Sequence, residues 1–231
     1  MQIHGFKKLT LLDYPGHLAA IIFLGGCNMR CPFCQNSSLV INPSSQPTIP
    51  KEEVLDTLYK RRNVLEGVCI SGGEPTLYHD LLNFIKEIKD LGYLVKLDTN
   101  GTNPSIIKSL VKEGLIDYIA MDIKNSKEKY AKTCGTPHFP LEEIEESIAF
   151  IMTSQIAYEF RTTIIKEYHT IEDILSIGNW IKGAKAYYLQ SYLDSGDILS
   201  PGLNGHSKET LSNYVKLLTP YIEYVSLRGI D

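Results

Sequence analysis

The chain has 231 residues, with 23 Lys and Arg against 27 Asp and Glu and a formal net charge of −4. A usual domain takes about 100–200 residues, so this length suits one large domain or two small ones. Mild acidity offers no grip on a polyphosphate and argues against nucleic acid as the main partner, and a 43% hydrophobic share excludes wholesale disorder. Five cysteines, three of them within eight residues, are too few and too unevenly placed for a disulfide scaffold. They read instead as metal chemistry in a reducing compartment.

The first long apolar run, Leu18–Leu24, is far shorter than the roughly 20 residues of a membrane span. Asp13 and Pro15 stand where an export signal would be basic, so the run reads as a buried strand of a cytoplasmic protein with no membrane partner. A polar loop, Asn42–Pro50, leads to a helix over Lys51–Arg62 with Val54, Leu55 and Leu58 on one face. A strand over Gly67–Ser71 follows, then a helix over Tyr78–Leu91 with Leu81, Leu82, Ile85 and Ile88 on one face. The alternation continues with strand Tyr93–Asp98, helix Pro104–Glu113, strand Tyr118–Ile123 and helix Leu141–Met152. Strand Ala157–Ile165, helix Ile171–Lys182, strand Ala186–Ser191, helix Lys208–Leu218 and strand Ile222–Leu227 complete it. Gly92 and Gly114 mark helix ends.

This order predicts an α/β fold of βαβ units with a mainly parallel sheet, open or partly closed into a barrel. Both arrangements collect function in the loops after the strands. No repeat or low-complexity linker interrupts the chain, so residues 1–231 are expected to form a single domain.

Cys27, Cys31 and Cys34 follow the first of these strands at offsets of four and three. Thiolates suit iron–sulfur clusters and zinc. A structural zinc site wants four ligands, and no second Cys or His pair follows. Three thiolates on a four-iron cluster would leave one iron open for chemistry. Ordinary buried cysteines remain the bland alternative. Ser71-Gly72-Gly73-Glu74-Pro75 is either turn chemistry or a close backbone approach to a ligand with a carboxylate beside it. Asp98-Thr99-Asn100-Gly101 reads as a turn or as a second carboxylate at a strand end. Asp122 and Lys124 share a strand face, which allows a simple ion pair. A buried Arg161 demands an anion, and Asp122 would serve. Cys69 reads as a structural thiol. Cys134, His17 and His79 receive no assignment, Glu142–Glu146 fits a solvated helix face, and Tyr187, Tyr188 and Tyr192 suit packing or a rim.

The Cys-x3-Cys-x2-Cys pattern, with Phe33 before its last cysteine, resembles the signature of the radical S-adenosylmethionine (SAM) superfamily. Gly5-Phe6, Leu12-Asp13-Tyr14-Pro15-Gly16 and Gly25-Gly26-Cys27 resemble the opening of glycyl-radical-enzyme activating proteins. Among these the chain is most like the anaerobic ribonucleoside-triphosphate reductase activating proteins and is similar to pyruvate formate-lyase activating enzymes. The likeness runs from about Gly5 to Arg228 and is strongest in the first 125 residues.

The resemblance implies a partial (βα)6-type barrel in which Cys27, Cys31 and Cys34 are the catalytic metal ligands of a 4Fe-4S cluster. SAM would chelate the open iron and be cleaved to a 5′-deoxyadenosyl radical. It further implies cofactor-binding roles for Phe33, Gly72, Gly73, Glu74, Asp98, Asp122, Lys124 and Arg161, and a monovalent cation near Asp98 and Asp122. The implied partners are a glycyl radical enzyme as protein substrate and reduced flavodoxin or ferredoxin as electron donor. Gln190 stands on the sixth predicted strand, where pyruvate formate-lyase relatives carry a SAM-contacting histidine, so the adenine contact is unassigned. Gln35–Pro50 holds no cysteine, so one cluster is expected in a loop over 25–37, without a ferredoxin-like insertion. Two rival readings are a radical SAM enzyme acting on a small molecule of the deazaguanine-precursor type and a zinc-stabilised interaction module.

Overall fold

The computed structural model describes residues 1–136, 139–194 and 196–230. Its elements in chain order are β1 (Ile3–Thr10), β2 (Ala19–Leu24), α1 (Ser37–Ile41), α2 (Lys51–Arg61), β3 (Gly67–Gly72), α3 (Leu81–Asp90), β4 (Leu94–Thr99) and α4 (Pro104–Lys112). They continue as β5 (Tyr118–Asp122), α5 (Tyr130–Cys134), α6 (Leu141–Thr153), β6 (Ala157–Ile164), α7 (Ile171–Trp180), β7 (Tyr187–Ser191), α8 (Lys208–Leu218) and β8 (Val225–Arg228). Strand order in the sheet is sequential, β1 to β8, and the sheet is not closed. The fold is α/β with a mainly parallel eight-stranded sheet.

Two compact units interleave along the chain. The first takes Met1–Asn28, Ser38–Thr99 and Asn103–Ala120; the second takes Met29–Ser37, Asn100–Thr102 and the chain from Met121 onward. In the first, β1 runs antiparallel to β2, while β2, β3 and β4 are mutually parallel. The parallel strands are apolar and buried on both faces, through Ile21 and Ile22, Val68 and Ile70, and Val95 and Leu97. On α3, Leu81, Phe84, Ile85 and Ile88 are all buried, the 3–4 spacing that turns one helix face inward. Val54 and Leu58 do the same for α2, and Ile107 and Leu110 for α4.

In the second unit β6, β7 and β8 are parallel, with Phe160 opposite Tyr187 and Tyr187 opposite Val225. Helix α6 buries Ile144, Ile148 and Ile151. Gly178 lets α7 approach α8, because a Cβ there would lie 2.6 Å from Leu218 Cδ2. Helix α7 starts with a reciprocal cap, the Thr170 side chain accepting from the Asp173 N–H and the Asp173 carboxylate accepting from the Thr170 N–H.

Strand β1 was not anticipated. Its sequence Ile-His-Gly-Phe-Lys-Lys-Leu-Thr has no clear alternation, and its middle is exposed, as an edge strand permits. Helices α1 and α5 have five residues each, too few to show a period. Helix α3 begins at Leu81 rather than Tyr78 because a 3-10 turn over Pro75–Leu77 precedes it. Replacing Thr170 with Ala removes half of the α7 cap and is expected to cost about 1 kcal/mol in urea unfolding, with Thr170→Ser close to wild type.

Candidate functional site

In the first unit, the end of β2 is held by main-chain hydrogen bonds. Gly25 N–H donates to Gln2 O (3.1 Å), Gly26 N–H to Leu39 O (2.8 Å), and the Tyr78 hydroxyl to Gly25 O (2.8 Å). The turn after β3 lies across this segment. Gly73 N–H donates to Leu24 O and Glu74 N–H to Gly26 O, both at 2.8 Å. Gly72 has φ +115°, and a Cβ on it would sit 2.2 Å from Leu24 O. A Cβ on Gly73 would sit 1.9 Å from Gly26 O and 3.4 Å from Cys27 Cβ. Both glycines are therefore required by the approach to the backbone that carries Cys27.

Glu74 is fully buried. Its Oε1 accepts from Thr76 N–H (3.0 Å), Thr76 Oγ1 (2.5 Å) and Thr99 Oγ1 (2.8 Å). The carboxylate thus ties the β3 turn to the end of β4. Asp98, one residue earlier on β4, accepts from Ser71 Oγ at 3.0 Å and pairs with the buried Lys96 ammonium. Lys96 also lies 3.7 Å from Cys69 Sγ, which is fully buried as a structural thiol should be. Ser71, Thr76, Lys96 and Thr99 were not singled out from sequence. Ser71 and Thr99 lie within the quoted strand-end motifs, and that placement is the available signal.

The second unit holds Cys31 and Cys34 in a tight turn, with Cys34 N–H donating to Cys31 O at 3.0 Å. Phe33 is buried against Tyr168, ring centroids 6.0 Å apart. Ser200 N–H donates to Pro32 O (2.8 Å) and Gln35 Nε2 to Leu193 O (2.7 Å), so the turn is anchored at both ends. All five cysteines of the chain are reduced. Among the described residues no three His, Cys, Asp or Glu side chains are gathered to hold a metal ion.

At the end of β5, Asp122 receives Arg161 Nε and Lys124 Nζ, each at 2.9 Å. Both expected ion pairs therefore exist, and they share one carboxylate. Burial alone would raise the Asp122 pKa, but the charges of Arg161 and Lys124 outweigh it and hold the group at about 2. For Lys124, burial opposes the charged form, yet Asp122 and then Cys31 raise its pKa above the ordinary lysine value. The Cys31 pKa is lowered first by a hydrogen bond from Cys134, against burial and with help from the Lys124 charge. Cys34 goes the other way, because burial dominates there. His169, unassigned by sequence, is buried and bonds Lys124 O through Nε2 at 2.9 Å.

Beyond β7, Gln190 lines a cavity of about 260 Å³ with Gln35, Thr163, Ser191, Arg228 and the backbone of Gly229. Arg228 stacks over Tyr188 at 3.5 Å and pairs through both terminal nitrogens with the buried Glu159. Nothing in the sequence joined Arg228 to Glu159, which lie 69 positions apart.

Asp122 is ionised in the fold below its ordinary pKa. Its contribution is present above the usual carboxylate range and is lost as pH falls through about 2. Asp122→Asn is expected to destabilise by about 2–3 kcal/mol at neutral pH, because it removes the charge that Arg161 and Lys124 share. Urea unfolding repeated towards pH 2 should show the gap from wild type closing.

The radical SAM superfamily profile matches residues 21–181. A Methanocaldococcus jannaschii protein named among the glycyl-radical enzyme activating enzymes is 33% identical over 239 aligned positions, covering 99% of this chain and 96% of that one. The pyruvate formate-lyase-activating enzyme of Clostridium pasteurianum is 29% identical over 54% of this chain and 52% of its own length. The solved structure of Streptococcus suis SuiB bound to S-adenosylmethionine aligns with TM-score 0.67 over 90% of this chain and 52% of that one, at 16% identity, which supports the fold alone. Radical SAM proteins bind a 4Fe-4S cluster and SAM. With thiols, fold and matched span in agreement, the chain belongs to the radical SAM superfamily.

Proposed function

We propose that the chain is a radical SAM activase, which generates a glycyl radical on a partner enzyme by removing a glycine α-hydrogen. The observation that carries this reading is the likeness over 99% of the chain to a relative named as an activating enzyme of glycyl radical enzymes. The thiols of Cys27, Cys31 and Cys34 would hold the 4Fe-4S cluster as its catalytic ligands. Their chemistry fits: soft, reduced thiols on one short loop, with Cys31 drawn towards thiolate. A four-iron cluster spreads its ligands over separate irons, so the thiols need not converge on one ion. When bound, the cluster supplies the electron that cleaves the SAM sulfonium and releases the 5′-deoxyadenosyl radical that abstracts the hydrogen.

The protein's own part is to bind, orient and exclude water. The main chain of Gly72 and Gly73 would meet the SAM amino group, with Glu74 holding that turn to Thr99. Phe33 would wall the cluster loop. Asp98, Asp122, Lys124 and Arg161 would order the polar end of SAM, and a monovalent cation near Asp98 and Asp122 is part of this reading. Arg161 is fixed by Asp122 through Nε, which orients its guanidinium plane. The electron donor in this reading is reduced flavodoxin or ferredoxin. Residues 1–231 act as a single radical SAM domain with its cluster loop over 25–37, in the cytoplasm. Among the described residues no helix is long and apolar enough to cross a membrane.

Anaerobic reconstitution with iron, sulfide, reductant and SAM should give a brown protein that releases 5′-deoxyadenosine. Adding the candidate glycyl radical enzyme should produce a glycyl-radical EPR signal. Cys31→Ser is expected to abolish both, and SAM cleavage that survives it would overturn the reading. Gly73→Ala forces its Cβ against Gly26 O and should slow SAM cleavage on the order of 10²-fold through displacement of the Cys27 backbone.

A further inference from the structure

We propose that the cavity at the ends of β6, β7 and β8 binds the glycine-bearing segment of the partner enzyme through its main-chain amides. The inference rests on the activase reading above and assigns Thr163, Gln190 and Ser191 as the residues that hold the substrate chain.

The register of the sheet builds one wall of the cavity. Thr163 on β6 stands opposite Gln190 on β7, and Gln190 stands opposite Arg228 on β8. Side chains alternate along a strand, so these three project from one face of the sheet, and Arg161 shares that face of β6. Gln35 closes the rim, its Nε2 donating to Leu193 O at 2.7 Å. It directly follows Cys34 in the chain, so the cavity adjoins the turn that would carry the cluster.

What the wall offers decides the ligand. The side chains of Thr163, Gln190 and Ser191 bond no described residue, so one carboxamide and two hydroxyls stand open to the cavity. Each of these groups can both donate and accept. The charged side chain in the lining is Arg228, and its two terminal nitrogens are committed to Glu159. With that charge paired, nothing in the lining draws in a phosphate or a carboxylate. The alternating N–H and C=O groups of a peptide match neutral partners of this kind. The volume of about 260 Å³ lies below the ~300–1,000 Å³ of ordinary small-molecule clefts. A segment centred on glycine needs little width, because glycine brings no side chain to house. Strand β8 ends the sheet, and no strand among the described residues pairs with its outer edge. An extended chain arriving on that flank meets open main-chain groups.

The test reads the KM for the partner separately from the KM for SAM in reconstituted wild type, Gln190→Ala, Ser191→Ala and Thr163→Val. Each variant removes one hydrogen-bonding group and should raise the partner KM about three- to tenfold while the SAM KM stays at its wild-type value. A partner KM that Gln190→Ala leaves unchanged overturns the proposal. So does a rise for SAM equal to the rise for the partner, which would give the cavity to SAM. Should Gln190→Ala take up no cluster, Ser191→Ala and Thr163→Val decide on the same criteria. Main-chain recognition is tested on wild type with a synthetic peptide of the partner's glycine segment. The peptide should compete with the partner, and N-methylation of the amides beside the glycine should weaken that competition about tenfold. Equal competition by the two peptides, or none by either, overturns the proposal. Wild type that cleaves SAM but leaves no glycyl radical on the candidate partner defeats the activase reading itself, before any variant is compared.

Discussion

Gly73 and Glu74 donate backbone hydrogen bonds to Leu24 O and Gly26 O, both at 2.8 Å, and these two bonds determine where the chain leaves β2 and where Cys27 begins. They require the β3 turn to lie flat on another backbone, which two side chains would prevent. The same turn carries Glu74, whose Oε1 gathers Thr76 and Thr99 and so extends the fixed region to the end of β4. A buried carboxylate with three donors on one oxygen is well compensated for its lost hydration. Placement of one cysteine in the first unit is therefore a main-chain property, reinforced by one buried side chain.

The second unit uses charge for the same purpose. Asp122 holds Arg161 and Lys124 at equal 2.9 Å distances, and Lys124 in turn acts on Cys31. His169, fastened to Lys124 O, restrains the backbone from the other side. Cys31 and Cys34 are three residues apart, yet their environments push them in opposite directions, one towards thiolate and one towards thiol. Burial acts on both. For Cys31 a Cys134 hydrogen bond outweighs it, whereas for Cys34 burial is the largest influence.

Most of the architecture was legible because alternating apolar runs and 3–4 spaced helices are one-dimensional signals. Strand β5 ends at Asp122 against an expected Ile123, and α8 occupies its predicted residues. Strand β1 escaped because an exposed edge carries lysines and lacks alternation. The cysteine loop and the motifs at the ends of β3, β4 and β5 were legible because strand ends collect chemistry. Their supports were not. Thr99 holding Glu74, Lys96 pairing with Asp98, and Glu159 pairing with Arg228 depend on which neighbours the sheet register creates, and spacing along one chain does not encode that. Gly72 and Gly73 show a subtler gap. Their need for close approach was visible, but the object approached is backbone, Leu24 for Gly72 and Gly26 for Gly73.

The ion pairs of Asp122 with Lys124 and Arg161 do not exclude a ligand-ordering role for the same three side chains. A half-buried ionic triad is weak evidence of stability, since apolar side chains of similar volume often serve a core as well or better. Its value lies in order: a carboxylate that fixes two cations leaves them preorganised, so an anionic ligand meets them without paying for their reorganisation. Arg161 uses Nε on Asp122, and because the guanidinium is a rigid plane that one bond fixes its orientation. Had these residues served only to fill space, the strand end next to the cysteine turn would be a costly place for three charges. The proposed role of Asp122, Lys124 and Arg161 in ordering a ligand rests on this grouping of three charges.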